Sequence, residues 1–375
     1  MEELQRSRKR VQTLRRKKQP VQRSQEWFDM RNLKVTASEV ACCLTNTEAV
    51  CKPYVEEFGI TNFKYDGKCL SHFDTKEDYI IKKCKAYNGE SVFRDSVFTL
   101  WGKKYEEIAT RMYRQIYGTD VIEFGLLPHP RLKYIGASPD GITPDGVMLE
   151  IKCPYSRKIN GVVPLHYWTQ IQIQLEVADL DMCDFLECEI RELKDEEEFV
   201  NLQILDNSQQ KGVLINKKEY PTNSEVKYIY PPDSLTTVDQ YLEWRDEMIR
   251  TLEQQEINAE PIYYHIHKWN VIHVRRRKDW FAAVKSTIKE VWEFITKLQK
   301  SPEDFRKYQD SIHLIKSKKF IDKWSNVTCT IEDDNDSHVD FFPSHKSNDE
   351  ENYRTESDEM EVDELDCMCM ISSSD

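Results

Sequence analysis

Residues 136–154 read GASPDGITPDGVMLEIKCP. Pro-Asp-Gly occurs there twice, at 139–141 and 144–146, and Glu150-Ile151-Lys152 follows. The flanking residues predict strands at about 133–139 and 147–152. The second Pro-Asp-Gly suits a three-residue hairpin loop: Pro144 sets φ at the first position, and Gly146 supplies the left-handed residue. If that loop closes a hairpin, Thr143 faces Val147. Counting back, Asp140 lies opposite Glu150 and Ser138 opposite Lys152. Opposed residues share a sheet face, and 150 and 152 share one by alternation. Two carboxylates and one ammonium then converge on one side, while Asp145 is left at the turn tip, in water.

Facing carboxylates repel unless something cationic sits between them. A bound Mg²⁺ or Mn²⁺ does this, and oxygen ligands suit such hard cations. Lys152 could then orient or deprotonate a water, or neutralise charge on a phosphate. An Asp–Lys–Glu ion cluster on an exposed sheet face is the structural alternative. The spacing alone does not decide between them, since about one chain in ten would carry it by chance.

Its neighbours add context. Trp101, Tyr105, Ile108, Met112 and Ile116 recur at helical spacing and predict a helix over 97–117. Glu106 falls beside that apolar stripe, where it is either a site residue or an ordinary salt-bridged glutamate. A second helix is predicted at about 165–179, LHYWTQIQIQLEVAD. In it Gln170 and Gln174 share one row, and Gln172 and Glu176 another; such amides either hold a water or phosphate oxygen or form a plain polar face. Thr36-Ala-Ser-Glu39 is a capping-box pattern that opens a helix at about 37. Further strands are predicted near 121–127, 183–190, 198–205 and 212–216, and helices at about 234–255 and 279–299. Helix, three strands, helix, strand describes an α/β core with helical additions at both ends.

The net charge of −13 divides unevenly. Residues 331–375 hold 16 acidic and 2 basic side chains, leaving the other 330 residues at +1. Residues 1–23 hold 9 Lys/Arg against 2 Glu. A basic, flexible arm (1–23) and an acidic disordered tail (331–375) are therefore expected around a nearly neutral body. The arm is either a phosphate-binding or targeting segment or a solvated tail. The 11 cysteines show no CxxC pair and no zinc-like spacing, so reduced core thiols are expected. No run of about 18 apolar residues predicts a membrane span. With no signal-like start either, an intracellular protein is expected.

RNLKVTAS (31–38), WGKKYEE (101–107), SPDG (138–141), LEIKCP (149–154) and YWTQIQIQLEV (167–177) occur in this order. Together they resemble the phage lambda exonuclease and YqaJ-type viral recombinase family, within the PD-(D/E)xK nuclease superfamily. The resemblance covers about 24–216 and implies a restriction-endonuclease-like core: a mixed central sheet flanked by helices, with a mainly helical C-terminal extension at 217–330. It implies a Mg²⁺-dependent 5′-to-3′ exonuclease that degrades one strand of linear duplex DNA, in viral-type recombination, repair or genome processing. Two Mg²⁺ ions are implied, replaceable by Mn²⁺. By position, Glu106, Asp140, Glu150 and the main-chain carbonyl of Ile151 match metal ligands. Lys152 matches the catalytic lysine, Gln172 the active-site glutamine with Gln170 beside it, and Arg31 and Ser38 the pocket for a 5′-phosphate. A structure-specific endonuclease and an inactive DNA-end-binding scaffold are the alternatives. A ring-shaped oligomer and a single-strand annealing partner occur in such a family, and a viral member would work in the cytoplasm or nucleus of its host. The stretch YYHIHKWNVIHVRRRKDWF (263–281) either extends the DNA surface or is a charged helix start or loop.

Overall fold

The computed structural model describes residues 2–90, 96–204, 210–218 and 227–325. From the N-terminus come α1 (Glu2–Arg15), α2 (Gln25–Asn32), β1 (Val35–Thr36), a 3₁₀ turn (Ala37–Cys43), α3 (Glu48–Phe58), α4 (Lys76–Tyr87) and α5 (Val97–Tyr117). Short strands β2 (Leu127–Pro128), β3 (Ile135–Ala137) and β4 (Gly141–Ile142) precede β5 (Val147–Lys152) and α6 (Leu165–Ala178). Then follow β6 (Met182–Glu192), α7 (Glu196–Asn201), β7 (Gln210–Lys217), β8 (Tyr228–Ile229), α8 (Val238–Gln254), β9 (Ala259–Arg275) and α9 (Lys278–Lys300). The chain divides into two compact units, Met1–Pro302 and Glu303–Asp375. The described part of the second is residues 303–325 of one helix, α10 (Pro302–Ser325), with Glu303 and Asp304 in its first turn.

The main sheet has the order β4-β5-β6-β9-β7-β8. Its β5–β6 pair is parallel and the others antiparallel, so the sheet is mixed. Parallel neighbours need a crossover, and α6 supplies it. The order α5, β4–β5 hairpin, α6, β6 is the helix–strand–helix–strand order expected of the core. A second sheet, β1-β3-β2, lies apart from it in pairing.

Alternation along β5 sorts its side chains. Leu149 and Ile151 join Tyr105, Ile108, Ala109 and Met112 of α5 in one buried cluster. Met148, Glu150 and Lys152 turn to the other face, under α6. Ten successive-turn residues of α6 are buried, because its outer side is covered as well: Trp168 packs edge-on against Trp280 of α9, and its indole N–H donates to Glu57 of α3 at 2.8 Å.

Several expectations are corrected. The arm at 1–23 is not free: α1 buries Val11 and Leu14, and its arginines reach distant acceptors. Residues 196–201 form α7, capped by Asp195 Oδ1 accepting from Glu198 N at 2.9 Å, where a strand was expected. The capping box at 36–39 is present but opens a 3₁₀ turn. Most consequential is the stretch 263–281: up to Arg275 it is β9, paired to β6 on one side and β7 on the other, and only its end, from Lys278, is a helix start, that of α9. Polar residues along β9 hid the alternation that marks a strand. The 217–330 region thus supplies an interior strand of the sheet, and the 24–216 segment does not close without it. All eight described cysteines are free thiols and seven are buried. No described helix is long and apolar enough to cross a membrane. The acidic tail lies outside the described residues.

Candidate active site

The turn has the expected register, Gly141 pairing with Leu149 and Ile142 with Met148, but the strand facing β5 is the two-residue β4; the strand expected at 133–139 is β3, which pairs with β1 and β2 in the other sheet. Thr143 N donates to Val147 O at 2.8 Å and Gly146 N to Thr143 O at 2.9 Å, closing the turn. The two glycines serve different ends. Gly146 has φ +87°, which an L-residue resists. Gly141 is needed for space, since a Cβ there would meet Val121 Cγ1 at 2.1 Å. Asp145 is at the turn tip, half-exposed, and accepts from Arg8 Nε at 2.7 Å.

On the α6 face, Asp140 Oδ2 accepts from Ile151 N at 2.7 Å. Glu150 is wholly buried, and every oxygen it has is held. Its Oε1 takes Lys152 Nζ at 2.5 Å and the Gln170 amide, and its Oε2 takes Gln174 Nε2 at 2.7 Å. Lys152 Nζ also lies 4.8 Å from the centre of the Tyr167 ring. Burial would lower the pKa of Lys152, but Glu150 and Asp140 outweigh it and hold the ammonium well above its usual range. In this arrangement Lys152 is held as an ammonium against Glu150. Burial above all, then Glu150 and Glu106, pushes Asp140 well above the ordinary carboxylate range. Glu106, on α5, is pushed up too, chiefly by burial and further by Glu150, against the pull of Arg23 and Lys152. Its Oε2 is 2.8 Å from Arg23 Nη2.

Glutamine placement departs from expectation. Gln172 does not face the carboxylates; its Nε2 donates to Arg275 O at 2.8 Å and its Oε1 accepts from Arg277 N at 2.7 Å, pinning the β9–α9 junction. The row that meets Glu150 is Gln170–Gln174. Residues four apart stack on one helix face, whereas 172 turns about 200° away from 170. Gln174 was visible as part of that row but not as a site residue; Arg23 left no local signal at all.

Arg31 and Ser38 do meet: Arg31 Nη2 donates to Ser38 Oγ at 3.2 Å, and the guanidinium lies 4.3 Å from the centre of the Trp27 ring. Buried Lys83 steadies this corner, donating to Arg31 O at 2.9 Å and pairing with Glu39 at 2.9 Å. Trp27 Nε1 donates to Ser138 Oγ at 3.0 Å, linking the corner to the first Pro-Asp-Gly copy. Within the basic run that closes β9, Arg276 is only 7% exposed and is turned onto Glu176 and Asp179, whereas Lys278 is 61% exposed.

The donor chemistry suits a hard cation. Three carboxylates stand within electrostatic reach of one another, and Gln174 Oε1 is a buried acceptor with no hydrogen-bond partner beside Glu150. Among the described residues, though, no three His, Cys, Asp or Glu side chains form a ready-made metal cluster; protein cations and amides engage the carboxylates instead.

The blocks that build this site fall within one matched segment. Residues 26–181 match the YqaJ-like viral recombinase domain. An uncharacterized protein, R354 of Acanthamoeba polyphaga mimivirus, is 30% identical over 54% of this chain. The chain spans 44% of that relative's length. Among solved structures, an alkaline exonuclease from Laribacter hongkongensis is similar at 17% identity, over 75% of this chain and 97% of that one, with a TM-score of 0.41. A phage-related exonuclease from Haemophilus somnus is similar at 12% identity, over 68% of this chain and 95% of that one, with a TM-score of 0.35. The matched segment holds every residue named for this site except Arg8, Arg23, Arg275, Arg276, Arg277 and Lys278.

Proposed function

We propose that this chain is a metal-dependent deoxyribonuclease that degrades one strand of linear duplex DNA from its 5′ end. What carries the reading is the row Asp140–Glu150–Lys152, built by one hairpin and roofed by Gln170 and Gln174. The match of 26–181 to a YqaJ-like viral recombinase domain supports it.

Asp140 and Glu150, with the main-chain carbonyl of Ile151, and Glu106 would hold two Mg²⁺ ions, or Mn²⁺ in their place. Bound there, such ions lower the pKa of a water and stabilise charge on a phosphate and its leaving oxygen. The protein's own share is distinct. Lys152, kept charged by Glu150 and Asp140, offers a fixed positive point beside the scissile phosphate. Gln170 and Gln174 hold the Glu150 carboxylate in one orientation. Arg31 and Ser38 form a charged hydrogen-bonding corner that suits a terminal phosphate. Anchoring the end there, joined through Trp27 and Ser138 to the carboxylates, gives the reaction its direction. Assembly into a ring and work alongside a single-strand annealing protein are extensions of this reading.

The test is an end-labelled duplex assay in Mg²⁺ with 5′-phosphate, 5′-hydroxyl, nicked and closed circular substrates. Shortening of the 5′-phosphorylated linear duplex with circles intact is the expected result. Rapid cutting of closed circles points to an endonuclease, and end binding without turnover in Mg²⁺ or Mn²⁺ to a scaffold; either result overturns the proposal.

A further inference from the structure

Arg23 stands at the rim of the carboxylate group. Its Nη2 lies 2.8 Å from Glu106 Oε2, and Glu106 is within electrostatic reach of Lys152 and Glu150. The backbone that delivers it is out of the ordinary: Arg23 has φ +67°, a region that disfavours any residue with a Cβ. Specific contacts hold it there. Ser24 N and Oγ both donate to Val21 O, at 3.2 and 2.7 Å. Gln22 Nε2 donates to Phe124 O at 2.8 Å and to Pro139 O, next to Asp140, at 3.2 Å. Gly125 N donates to Gln19 Oε1 at 2.9 Å, and a Cβ at Gly125 would come within 1.9 Å of Pro20 O. Residues 19–23 are thus a strap across the first Pro-Asp-Gly copy, and Arg23 is its point.

We propose that Arg23 is an internal counter-ion for Glu106: it holds that carboxylate while no divalent ion is there, and passes to a DNA phosphate when an ion takes its place. The proposal rests on the metal-dependent nuclease reading. Its physical basis is a contrast among the three carboxylates. Glu150 and Asp140 are engaged from the protein side, by Lys152, two α6 amides and the Ile151 N–H, with the Gln174 amide itself buried. The Arg23–Glu106 pair is 43% and 34% exposed, the kind of ion pair that exchanges readily. Arginine cannot lose its proton, so a guanidinium released from Glu106 remains a cation at the site's rim. A substrate phosphate is the anion it matches best, through two parallel hydrogen bonds.

The test is calorimetric titration of Mn²⁺ into the metal-free full chain, with no DNA, for wild type, Arg23→Gln and Arg23→Lys. Arg23→Gln should bind Mn²⁺ about threefold or more tighter because the competing cation is gone, and Arg23→Lys should stay near wild type. Arg23→Gly, which suits the left-handed backbone, makes the same measurement should Arg23→Gln fail to fold. Equal or weaker binding by the charge-removing variants would overturn the proposal and leave Arg23 an anchor of the strap. If wild type then still shortens linear DNA, the nuclease reading survives that failure. A wild type that binds no Mn²⁺ overturns both. The phosphate half is read from the salt dependence of binding to a duplex with phosphorothioate 5′ ends, Mn²⁺ present. Arg23→Gln should lower the slope by about 0.9; an unchanged slope overturns the transfer.

Discussion

Asp140 and Asp145 share a Pro-Asp-Gly context and differ in everything that surrounds them. Asp140 accepts the Ile151 N–H and is raised by burial and by two neighbouring carboxylates, whereas Asp145 meets only Arg8 at an exposed turn. Asp140→Asn should therefore reduce Mg²⁺-dependent DNA shortening to about 1% or less, the scale of a lost transition-state contact. Asp145→Asn should leave the rate near wild type and change stability by about 1 kcal/mol or less. Equal losses in the two variants, in the end-labelled assay, would sink the assignment. The glutamines give a second contrast. Gln174→Ala should lower turnover because it frees Glu150 Oε2, and should lower Tm as well, since that buried carboxylate oxygen is left unpaired. Gln172→Ala should leave two backbone groups at the β9–α9 junction unpaired, costing about 1–3 kcal/mol each, seen as a drop in Tm with chemistry retained. The aspartates were legible in the sequence because a hairpin is local: one turn residue fixes its register. The glutamines were not. Spacing separates the rows Gln170–Gln174 and Gln172–Glu176, but a helix covered on both sides has no polar face to show which row meets the carboxylates until α6 is placed.

At the scale of elements, β9 decides what counts as the core. It lies between β6 and β7, and its pairing with β6 runs from Met182–Arg275 to Glu192–Tyr264. A fragment of residues 24–216 would leave β6 and β7 with open, apolar edges, a template for aggregation. Such a fragment should fail to give a cooperative melt in circular dichroism, while the full chain melts cooperatively. A fragment that folds on its own would refute the claim that β9 belongs to the core. α9 is integral for a related reason: Trp280 is 1% exposed, packs on Trp168 and donates to Val50 O at 3.0 Å. Trp280→Ala should cost about 3–5 kcal/mol in denaturant unfolding. Its apolar stripe made α9 readable as a helix. Where it docks was not readable, because α3 and α6 lie about 230 and 110 residues earlier and no local pattern encodes that meeting. The α1 arm was misread similarly: its charges look solvated until Asp145, Ala178 and Asp179 are brought to them.

Within the compact unit Met1–Pro302, one ion network, buried at Arg276, Glu176 and His129, ties the N-terminal arm, the glutamine helix and the β9–α9 junction together. Arg276 Nε donates to Glu176 Oε2 at 3.0 Å and Nη1 to Asp179 Oδ1 at 2.9 Å, and Arg10 Nε of α1 donates to Ala178 O at 2.6 Å. His129 Nδ1 accepts two backbone N–H groups, from Arg131 and Leu132, and its Nε2 lies 3.6 Å from Glu176 Oε1. Burial by itself would raise the Glu176 carboxyl, but His129 and Arg276 outweigh it and hold it down at about 2. Asp179 is lowered as well, against burial, by Arg276, Arg10 and Arg6. A carboxylate whose folded pKa is depressed stabilises the fold above its unfolded value, about 4. That stabilisation drains as pH falls through the folded value. Tm should therefore drop between about pH 4.5 and pH 2 in excess of what exposed carboxylates give. Glu176→Gln should flatten that stretch of the Tm profile, because the amide has no proton to gain. Arg276→Met should instead destabilise by about 3–5 kcal/mol at neutral pH, since it strands a buried carboxylate, and should recover part of the loss on mild acidification. A wild-type profile that is level down to pH 2, or the same slope in Glu176→Gln, would show that the network is not what couples these segments.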